Sequence, residues 1–163
     1  MIYSDMTQFA YIAKEIWDMD RPGHWHHPTG VGMLAYVLPA AIGGAVGRKG
    51  LPTMAIAGDY GFQYTMQELG VAVELGLPIP IFLWDNGKLG EIEASMTSAQ
   101  IAPNAVIARN PDFCKLAEAF GARAAAPGAG PRSPPSCEGG GGPGHAAVRG
   151  PLAPLPRRRL QRR

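Results

Sequence analysis

The chain has 163 residues, a length that favours one hydrophobic core and therefore one domain. Residues 129–163 carry seven Arg and one Glu, whereas residues 1–128 carry eight Lys or Arg against twelve Asp or Glu, and this acidic balance argues against nucleic-acid binding. Cys114 and Cys137 match no metal or redox spacing, and no signal peptide opens the sequence, so the expected location is the cytoplasm.

The first predicted elements are the end of a strand and a helix. Ile2 and Tyr3 are apolar and precede Asp5, which stands three residues before Gln8, the spacing of a helix cap and its partner. The following helix is predicted to bury one face, which consists of Phe9, Ile12, Ala13 and Ile16.

Three histidines, His24, His26 and His27, lie within four positions and suggest a transition-metal site. No fourth ligand stands at a matching spacing, so we favour a solvated loop at the edge of a sheet.

Residues 28–47 form an uncharged stretch long enough to consider as a membrane span. It contains five Gly and a central Pro39, which favour a core segment with a helix opened by Leu38 and Pro39, since proline is well tolerated in a first turn. Residues 48–50 are predicted to form a solvated turn, and we expect no membrane partner.

The central unit of the chain begins with a β-branched, apolar run at residues 53–57, which predicts a buried strand that ends in a tight turn at GDYG. Thr65 and Glu68 stand at capping-box spacing, and apolar residues at helical spacing predict a helix to about Leu75. Pro78 and Pro80 end it. A second apolar run at residues 81–84 then predicts another strand.

Both strands of this unit end in polar loops, the first containing Asp59 and the second Asp85, Asn86 and Gly87. A short helical link between two strands predicts a right-handed parallel crossover, which places both loops at one edge of the sheet. Mg²⁺ prefers oxygen ligands, and glycine amides favour phosphate, so the pattern indicates a Mg²⁺-diphosphate site. The alternative is that Asp59 and Asn86 are ordinary helix caps and turn formers.

The C-terminal part of the body shows weaker patterns. Residues 101–107 are predicted to form a loop or a short edge strand. Asn110 and Pro111 start an amphipathic helix, which ends at Gly121. Residues 122–126 are a candidate strand. Strands that alternate with helices predict an α/β fold, a doubly wound, mostly parallel sheet with helices on both faces.

The sequence changes character after Gly128. Residues 129–163 contain seven Pro, seven Gly and seven Arg without apolar periodicity, which predicts a disordered tail. We therefore divide the chain into a domain at residues 1–128 and a tail at residues 129–163. Glycine and arginine runs of this kind also arise when GC-rich codons are read out of frame, so the tail is interpreted as frame-shifted or as a genuine disordered basic extension.

The run GDYGFQYTMQELGVAVELGLPIPIFLWDNGKLGEI resembles the thiamine diphosphate motif, Gly-Asp-Gly followed about 27 residues later by Asn-Asn, and Asn86 follows Asp59 by 27 positions. With the upstream LPAAIG, the sequence is similar to the diphosphate-binding domain of acetolactate synthase-like 2-oxo acid decarboxylases, over roughly residues 1–128. Tyr60 replaces the last glycine of the motif and Asp85 its first asparagine, but neither position supplies a metal ligand from its side chain in the family pattern. Tyr60 and Ala35 both stand where glycine is more usual, so each must adopt the backbone geometry that glycine takes there.

This resemblance implies roles for individual residues. The metal ligands would be the side chains of Asp59 and Asn86 and the carbonyl of Lys88. The residues implied in binding the cofactor, thiamine diphosphate, are Thr7, Gln8, Gly32, Leu34, Gly58, Asp59, Gly61, Phe62, Asn86 and Gly90. The candidates for contact with the substrate are His26, His27 and Glu91, although a solvated helix start is the simpler interpretation of residues 91–96.

The resemblance also implies that a 2-oxo acid is the substrate and that the site needs a pyrimidine-binding domain or subunit, within an enzyme that forms homo-oligomers. No segment of the sequence resembles that domain, so we expect a fragment that is inactive alone. The alternatives are one subunit of a split enzyme and a non-catalytic remnant with a basic tail.

Overall fold

The computed structural model describes residues 1–126 and the backbone of residues 146–149. Its strands are β1 (Ile2–Ser4), β2 (Trp25–His26), β3 (Met54–Gly58), β4 (Pro80–Trp84), β5 (Arg123–Ala125) and β6 (Ala146–Arg149). Its helices are α1 (Gln8–Ile16), α2 (Val37–Gly47), α3 (Asp59–Thr65), α4 (Glu68–Glu74), α5 (Gly90–Ser98) and α6 (Phe113–Ala119).

The strands form one sheet in the order β2-β1-β3-β4-β6-β5. Neighbours among β1 to β4 pair in parallel, whereas β6 runs antiparallel to both β4 and β5. This mostly parallel sheet with connecting helices confirms the predicted fold class. The carboxyl ends of β1 to β4 lie together at one edge of the sheet.

Helices cover both faces of the sheet, and alternate residues of each strand therefore pack in different cores. Tyr3 and Ala55 pack in the larger core with residues of α2, α4 and α6. Ile2 and Ile56, their neighbours in the strands, pack with Ala10 of α1 on the other face.

The buried face predicted for α1 is wrong in three of its four residues. Only Ala13 is buried, together with Ala10, whereas Phe9, Ile12 and Ile16 are 38%, 62% and 76% exposed. Small alanine side chains allow the helix to lie close to the sheet, which turns its larger apolar side chains outward.

Asp5 does not cap α1, as the sequence predicted. Thr7 is the N-cap residue of α1, and no side chain accepts a hydrogen bond there. The fully buried carboxylate of Asp5 instead accepts hydrogen bonds from the amides of Val37 and Ala35, at 3.0 and 3.3 Å. Asp5 therefore caps α2 from a different element, which spacing along the sequence cannot reveal.

The central unit contains two short helices in place of a turn followed by one long helix. α3 starts at Asp59, directly after β3, and α4 starts at Glu68. Thr65 does not form the predicted capping box, because its hydroxyl donates to the carbonyl of Ala35 at 3.3 Å. This contact joins the end of α3 to the turn that precedes α2.

The predicted C-terminal helix and strand are present as α6 and β5. α6 starts later than predicted, with Asp112 as its N-cap, and the Asp112 carboxylate accepts from the amides of Cys114 and Lys115. The tail assigned to residues 129–163 lies outside the described residues except for β6, a strand that its composition did not predict. Of the helices described, none has the length and hydropathy needed to span a bilayer.

Candidate functional site at the carboxyl edge of the sheet

Residues from four different segments meet at the carboxyl edge of β1 to β4. Asp5, His27 and Asp59 each follow a strand directly, and Asn86 stands two residues after β4. Parallel strands bring residues distant in the sequence to one edge in this way, and ligands of open α/β sheets bind at such edges.

Asp59 connects the two loops of the central unit, as the sequence predicted. Its side chain is 3% exposed, and its Oδ2 accepts from the amide of Gly87 at 2.8 Å. Its Oδ1 accepts from the amide of Tyr60 at 2.9 Å. Tyr60 lies within α3 and is not among the described residues with positive φ, so its side chain is compatible with the backbone at this position.

Asn110 is a site residue that the sequence analysis assigned to a helix start. Its Nδ2 donates to Asp59 Oδ2 at 2.6 Å and to Asp85 Oδ1 at 2.7 Å, and its Oδ1 accepts from Gln63 at 3.1 Å. Burial raises the pKa of Asp85, the bond from Asn110 lowers it, and the charge of Asp59 raises it. Asn110 therefore donates to two neighbouring carboxylates and partly offsets the repulsion between them.

Gln8 and Asn86 lie together at this edge. Asn86 Nδ2 donates to Gln8 Oε1 at 3.2 Å, and Asn86 Oδ1 accepts from the amide of Lys88 at 3.2 Å. A Cβ atom at position 90 would lie 2.6 Å from Gln8 Oε1, so a larger residue there would displace the end of the Gln8 side chain. The start of α1, the loop after β4 and the start of α5 therefore form one group.

Two further glycines allow close approach at the edge. A Cβ at Gly58 would lie 3.1 Å from Thr7 Oγ1, and a Cβ at Gly61 would collide with Asp5 Oδ2. Phe62, the next residue of α3, is fully buried and packs against Phe113. These contacts set the positions of α1 and α3 against the end of β1.

Asp5 also fixes the loop that carries Gly32 and Leu34. Gly32 has a φ of 67°, Leu34 is partly buried, and Ala35 has a φ of 72°, a value at which a residue with a side chain is strained. Ala35 therefore does adopt the geometry usual for glycine, and the bonds of its amide to Asp5 and of its carbonyl to Thr65 stabilise it.

Burial of Asp5 has an electrostatic consequence. Desolvation raises its pKa from 3.8 to about 6, against the opposing effect of hydrogen bonds from the amides of residues 35 to 37. The carboxyl is therefore mostly ionised at pH 7 and mostly protonated at pH 5.

His26 and His27 stand at the same edge but make different contacts. The ring of His26 stacks on Tyr3, with centroids 4.8 Å apart. His27 Nδ1 lies 2.9 Å from Ser4 Oγ, which also accepts from Trp25 Nε1 at 2.8 Å. Burial lowers the pKa of His27, and the charge of Lys14 lowers it further, so its ring is neutral at pH 7.

Glu91 lies in the first turn of α5 and lines a groove with Gln8 and Tyr11. Burial raises the pKa of the Tyr11 phenol, and the negative charge of Glu91 raises it further. The Glu91 carboxylate therefore lies near the phenol. Tyr11 also contacts the ring of His27 edge-on, with centroids 6.1 Å apart. His27 and Glu91 therefore both lie near Tyr11 of α1, whereas His26 stacks on Tyr3, which packs in the core on the other face of the sheet.

The oxygen atoms at this edge suit a hard cation better than a transition metal. No group of three His, Cys, Asp or Glu side chains within the described part of the chain is arranged to bind a metal ion. Asp59, the Asn86 amide and the Lys88 carbonyl instead offer one carboxylate and neutral oxygens, a set that Mg²⁺ accepts when phosphate and water complete it.

The fold and this edge define a class of protein, the open α/β domains that bind a ligand beyond the ends of parallel strands. A family described as "Thiamine pyrophosphate enzyme, C-terminal TPP binding domain" matches residues 5–133. The chain belongs to this family, and its sequence matches part of a decarboxylase and of acetolactate synthases.

Two relatives illustrate the similarity. A probable 2-ketoarginine decarboxylase from Pseudomonas aeruginosa is 44% identical over 121 residues, which cover 74% of this chain and 22% of that protein. An acetolactate synthase from Mycobacterium avium is 36% identical over 115 residues, or 67% of this chain and 18% of that enzyme. The chain therefore spans about a fifth of the length of these relatives.

Solved structures support the fold. The thiamine diphosphate-dependent 4-hydroxybenzoylformate decarboxylase of Rhodococcus jostii aligns with a TM-score of 0.68 and 24% identity, over 75% of this chain and 23% of that one. The benzoylformate decarboxylase of Polynucleobacter necessarius aligns with the same TM-score and 20% identity, over 75% of this chain and 24% of that one.

Proposed function

We propose that this chain binds Mg²⁺ and thiamine diphosphate as the diphosphate-binding part of a 2-oxo acid decarboxylase or acetolactate synthase-like enzyme. When bound, the cofactor supplies the electron sink that decarboxylation of a 2-oxo acid requires. The chain itself contributes binding, orientation and exclusion of water at one side of the site.

The observation that carries this proposal is the contact between the two loops of the motif. The Asp59 carboxylate is buried and bonded to the amide of Gly87, next to Asn86. The metal ligands in this proposal are the side chains of Asp59 and Asn86 and the carbonyl of Lys88. The amides of Gly61, Phe62 and Gly90, with Thr7 and Gln8, would hold the phosphate oxygens.

The loop before α2 would hold the other end of the cofactor. Its positions Gly32 and Leu34 are kept in place through Asp5, which bonds the amide of the following Ala35. We propose that Gly32 provides its carbonyl and Leu34 its apolar side chain to the cofactor. The complete site would also require a pyrimidine-binding domain, on the same polypeptide or on a partner.

The greater similarity to the decarboxylase favours decarboxylation over acetolactate synthesis, at 44% against 36% identity. A split enzyme, with the pyrimidine-binding domain on a separate chain, is the second candidate. A non-catalytic remnant is the third, and this candidate predicts that the chain has no Mg²⁺-dependent affinity for the cofactor.

Calorimetric titration of the purified chain with thiamine diphosphate, with and without Mg²⁺, tests the proposal. We expect binding that requires Mg²⁺ and is weakened by more than about 100-fold in Asp59→Ala, since even residues that support a metal ligand typically contribute 10- to 100-fold. Asp20→Ala is the matched control, because Asp20 is exposed and its carboxylate pairs with the neighbouring Arg21.

Asn86→Ala provides a second variant in case Asp59→Ala does not fold, which circular dichroism would reveal. Cofactor binding that is equally tight without Mg²⁺, or unchanged in a folded Asp59→Ala variant, would contradict the assignment of the site.

A further inference from the structure

Asn110 lies outside the thiamine diphosphate motif, yet its side chain bonds two acidic residues at the candidate metal site. Its Nδ2 donates to Asp59 Oδ2 at 2.6 Å and to Asp85 Oδ1 at 2.7 Å. A primary amide has two hydrogens to donate, so these two bonds use both of them. The two carboxylates therefore share one nitrogen as their donor.

Gln63 fixes the orientation of this amide from the other side. Gln63 Nε2 donates to Asn110 Oδ1 at 3.1 Å and to the backbone carbonyl of Asp59 at 3.2 Å. If the Asn110 amide were reversed, its oxygen would face two carboxylates that have no hydrogen to donate. Because Gln63 and Asp59 belong to the same helix, α3, this contact also holds Asn110 against the start of that helix.

The bonds to Asp59 make its two oxygens unequal. Oδ2 accepts from the amide of Gly87 at 2.8 Å and from Asn110, so both of its acceptor directions are used. Within the described part of the chain, Oδ1 accepts one hydrogen bond, from the amide of Tyr60 at 2.9 Å. Asp59 is therefore arranged to offer a cation one oxygen and not both.

Asp85 stands where the motif has asparagine, and it adds a second carboxylate beside the proposed metal ligands. The negative charge of Asp59 acts on Asp85, and both accept from Asn110. Without Asn110, the repulsion between the two carboxylates would be relieved best by a cation bound to both of them. The bond from Asn110 favours a state in which Asp85 bonds an amide instead of a cation.

The segment at residues 106–110 also contacts the loop that carries the proposed metal ligands. Two backbone hydrogen bonds, of 2.8 and 3.1 Å, join residues 106 and 108 to the residues on either side of Lys88. Lys88 itself pairs with Ile107 in antiparallel register. The flanking bonds leave the Lys88 carbonyl directed away from the segment, on the side of its own amide, which donates to Asn86 Oδ1.

The two common hard cations make different demands on such a site. Mg²⁺ needs near-ideal octahedral geometry and usually takes one or two carboxylates, with water and phosphate. Ca²⁺ is larger, takes six to eight oxygen ligands and accepts carboxylates that bind through both oxygens. A site with one available carboxylate oxygen and neutral oxygens therefore favours Mg²⁺, and each further carboxylate oxygen favours Ca²⁺.

We propose that Asn110 is a positioning residue that makes the site prefer Mg²⁺ to Ca²⁺, by leaving one oxygen of Asp59 for the metal and keeping Asp85 out of its ligand set. The inference rests on the proposed function, because that function assigns Asp59, Asn86 and Lys88 as the metal ligands.

The preference is measured on the full chain by calorimetric titration with thiamine diphosphate in Mg²⁺ and in Ca²⁺, and it is expressed as the ratio of the two affinities. The wild type should bind more tightly in Mg²⁺. Asn110→Ala should lower the ratio by at least about tenfold, since residues that support a metal ligand typically contribute 10- to 100-fold. A variant that is only less stable would lose affinity with both metals alike, so the ratio distinguishes positioning from a purely structural role.

Three further variants sharpen the test. Asn104→Ala is the matched control, because Asn104 is an exposed residue of the same loop, and it should retain the wild-type ratio. Asp85→Asn keeps an acceptor for Asn110 and should also retain it, whereas adding Asp85→Asn to Asn110→Ala should restore part of the lost preference. Gln63→Ala loosens the Asn110 amide and should lower the ratio by a smaller factor, which keeps the test decisive if circular dichroism shows that Asn110→Ala does not fold.

The outcomes separate this inference from the proposed function. A folded Asn110→Ala or Gln63→Ala variant with the wild-type ratio, or a wild type that binds the cofactor equally well in both metals, would overturn the role of Asn110 alone. Cofactor binding by the wild type that needs no divalent cation, or no cofactor binding at all, would overturn the proposed function and this inference together.

Discussion

A single buried carboxylate, that of Asp5, joins three segments of the candidate site. It bonds the amides before and at the start of α2, and Gly61 of α3 packs against its Oδ2. Burying an ionised carboxyl is unfavourable, and the amide bonds only partly compensate, which explains why the pKa of Asp5 is raised to about 6. The residue therefore contributes geometry to the site at a cost in stability at neutral pH.

The unfavourable burial of the Asp5 carboxylate predicts that the free energy of unfolding decreases as pH rises. Because the pKa of Asp5 is about 6 in the folded chain and 3.8 ordinarily, the folded state binds more protons between these values. The contribution of Asp5 to the free energy of unfolding is thus greatest below pH 4 and decreases as pH rises to about 6. We expect a loss on the order of 2 to 3 kcal/mol over this range.

Urea denaturation of the wild type and of Asp5→Asn at several pH values between 4 and 7 measures the contribution of Asp5 to the free energy of unfolding. Asparagine does not titrate and still offers an acceptor to Val37, so the difference in free energy of unfolding between the two proteins should vary with pH by that amount. A constant difference across the range would show that the pKa of Asp5 is not raised.

At the scale of single elements, close packing of α2 on the sheet depends on one glycine. A Cβ at Gly44 would collide with the ring of Tyr3, which is 7% exposed, whereas a Cβ at the adjacent Gly43 would have no atom within 4 Å. The two neighbouring glycines of one helix therefore have different structural roles.

Gly44→Ala should destabilise the chain by about 1 to 3 kcal/mol, the usual cost of overpacking a core. Gly43→Ala should be neutral or stabilise it by up to about 1 kcal/mol, because alanine favours an exposed helical position over glycine. Thermal unfolding of both variants beside the wild type compares these effects directly. Equal changes in the two variants would mean that Tyr3 moves aside without cost.

The sequence was sufficient to predict elements whose signals are local. The strands β3 and β4 follow from apolar runs, and the approach of their two loops follows from the handedness of a parallel crossover. Glycine at position 90 and asparagine at position 86 were assigned to the site from the motif, and the structure brings both beside Gln8.

Contacts between distant segments could not be predicted in the same way. Asp5 and Asn110 both stand at spacings typical of helix caps, yet they bond Val37 and Asp59, which are 32 and 51 residues away. The outward orientation of Ile12 and Ile16 was missed because helical periodicity identifies an apolar face but not what covers it.

At the scale of the whole molecule, we propose that the chain provides one side of a binding site. It spans 22% of the length of the 2-ketoarginine decarboxylase relative. On α1 and at its C-terminal end, the apolar side chains of Ile12, Ile16 and Trp17 are 62%, 76% and 49% exposed. Exposed apolar surface of this kind is common where another domain or subunit packs. We therefore expect the proposed pyrimidine-binding partner to cover the open side of the sheet edge.

The last prediction is that the purified chain binds the cofactor but does not decarboxylate 2-oxo acids by itself. With the sheet edge open, water reaches the reacting atoms, and charges at the edge are screened more strongly than in a closed site. CO₂ release from pyruvate and from 2-ketoarginine, the substrate named for the Pseudomonas relative, is measured with the chain alone and after addition of a pyrimidine-binding domain from a related enzyme. We expect activity only in the second case, together with slower amide exchange along α1, where the partner would cover exposed side chains. Steady CO₂ release by the chain alone, at a rate abolished in Asp59→Ala, would show that its own residues complete the site.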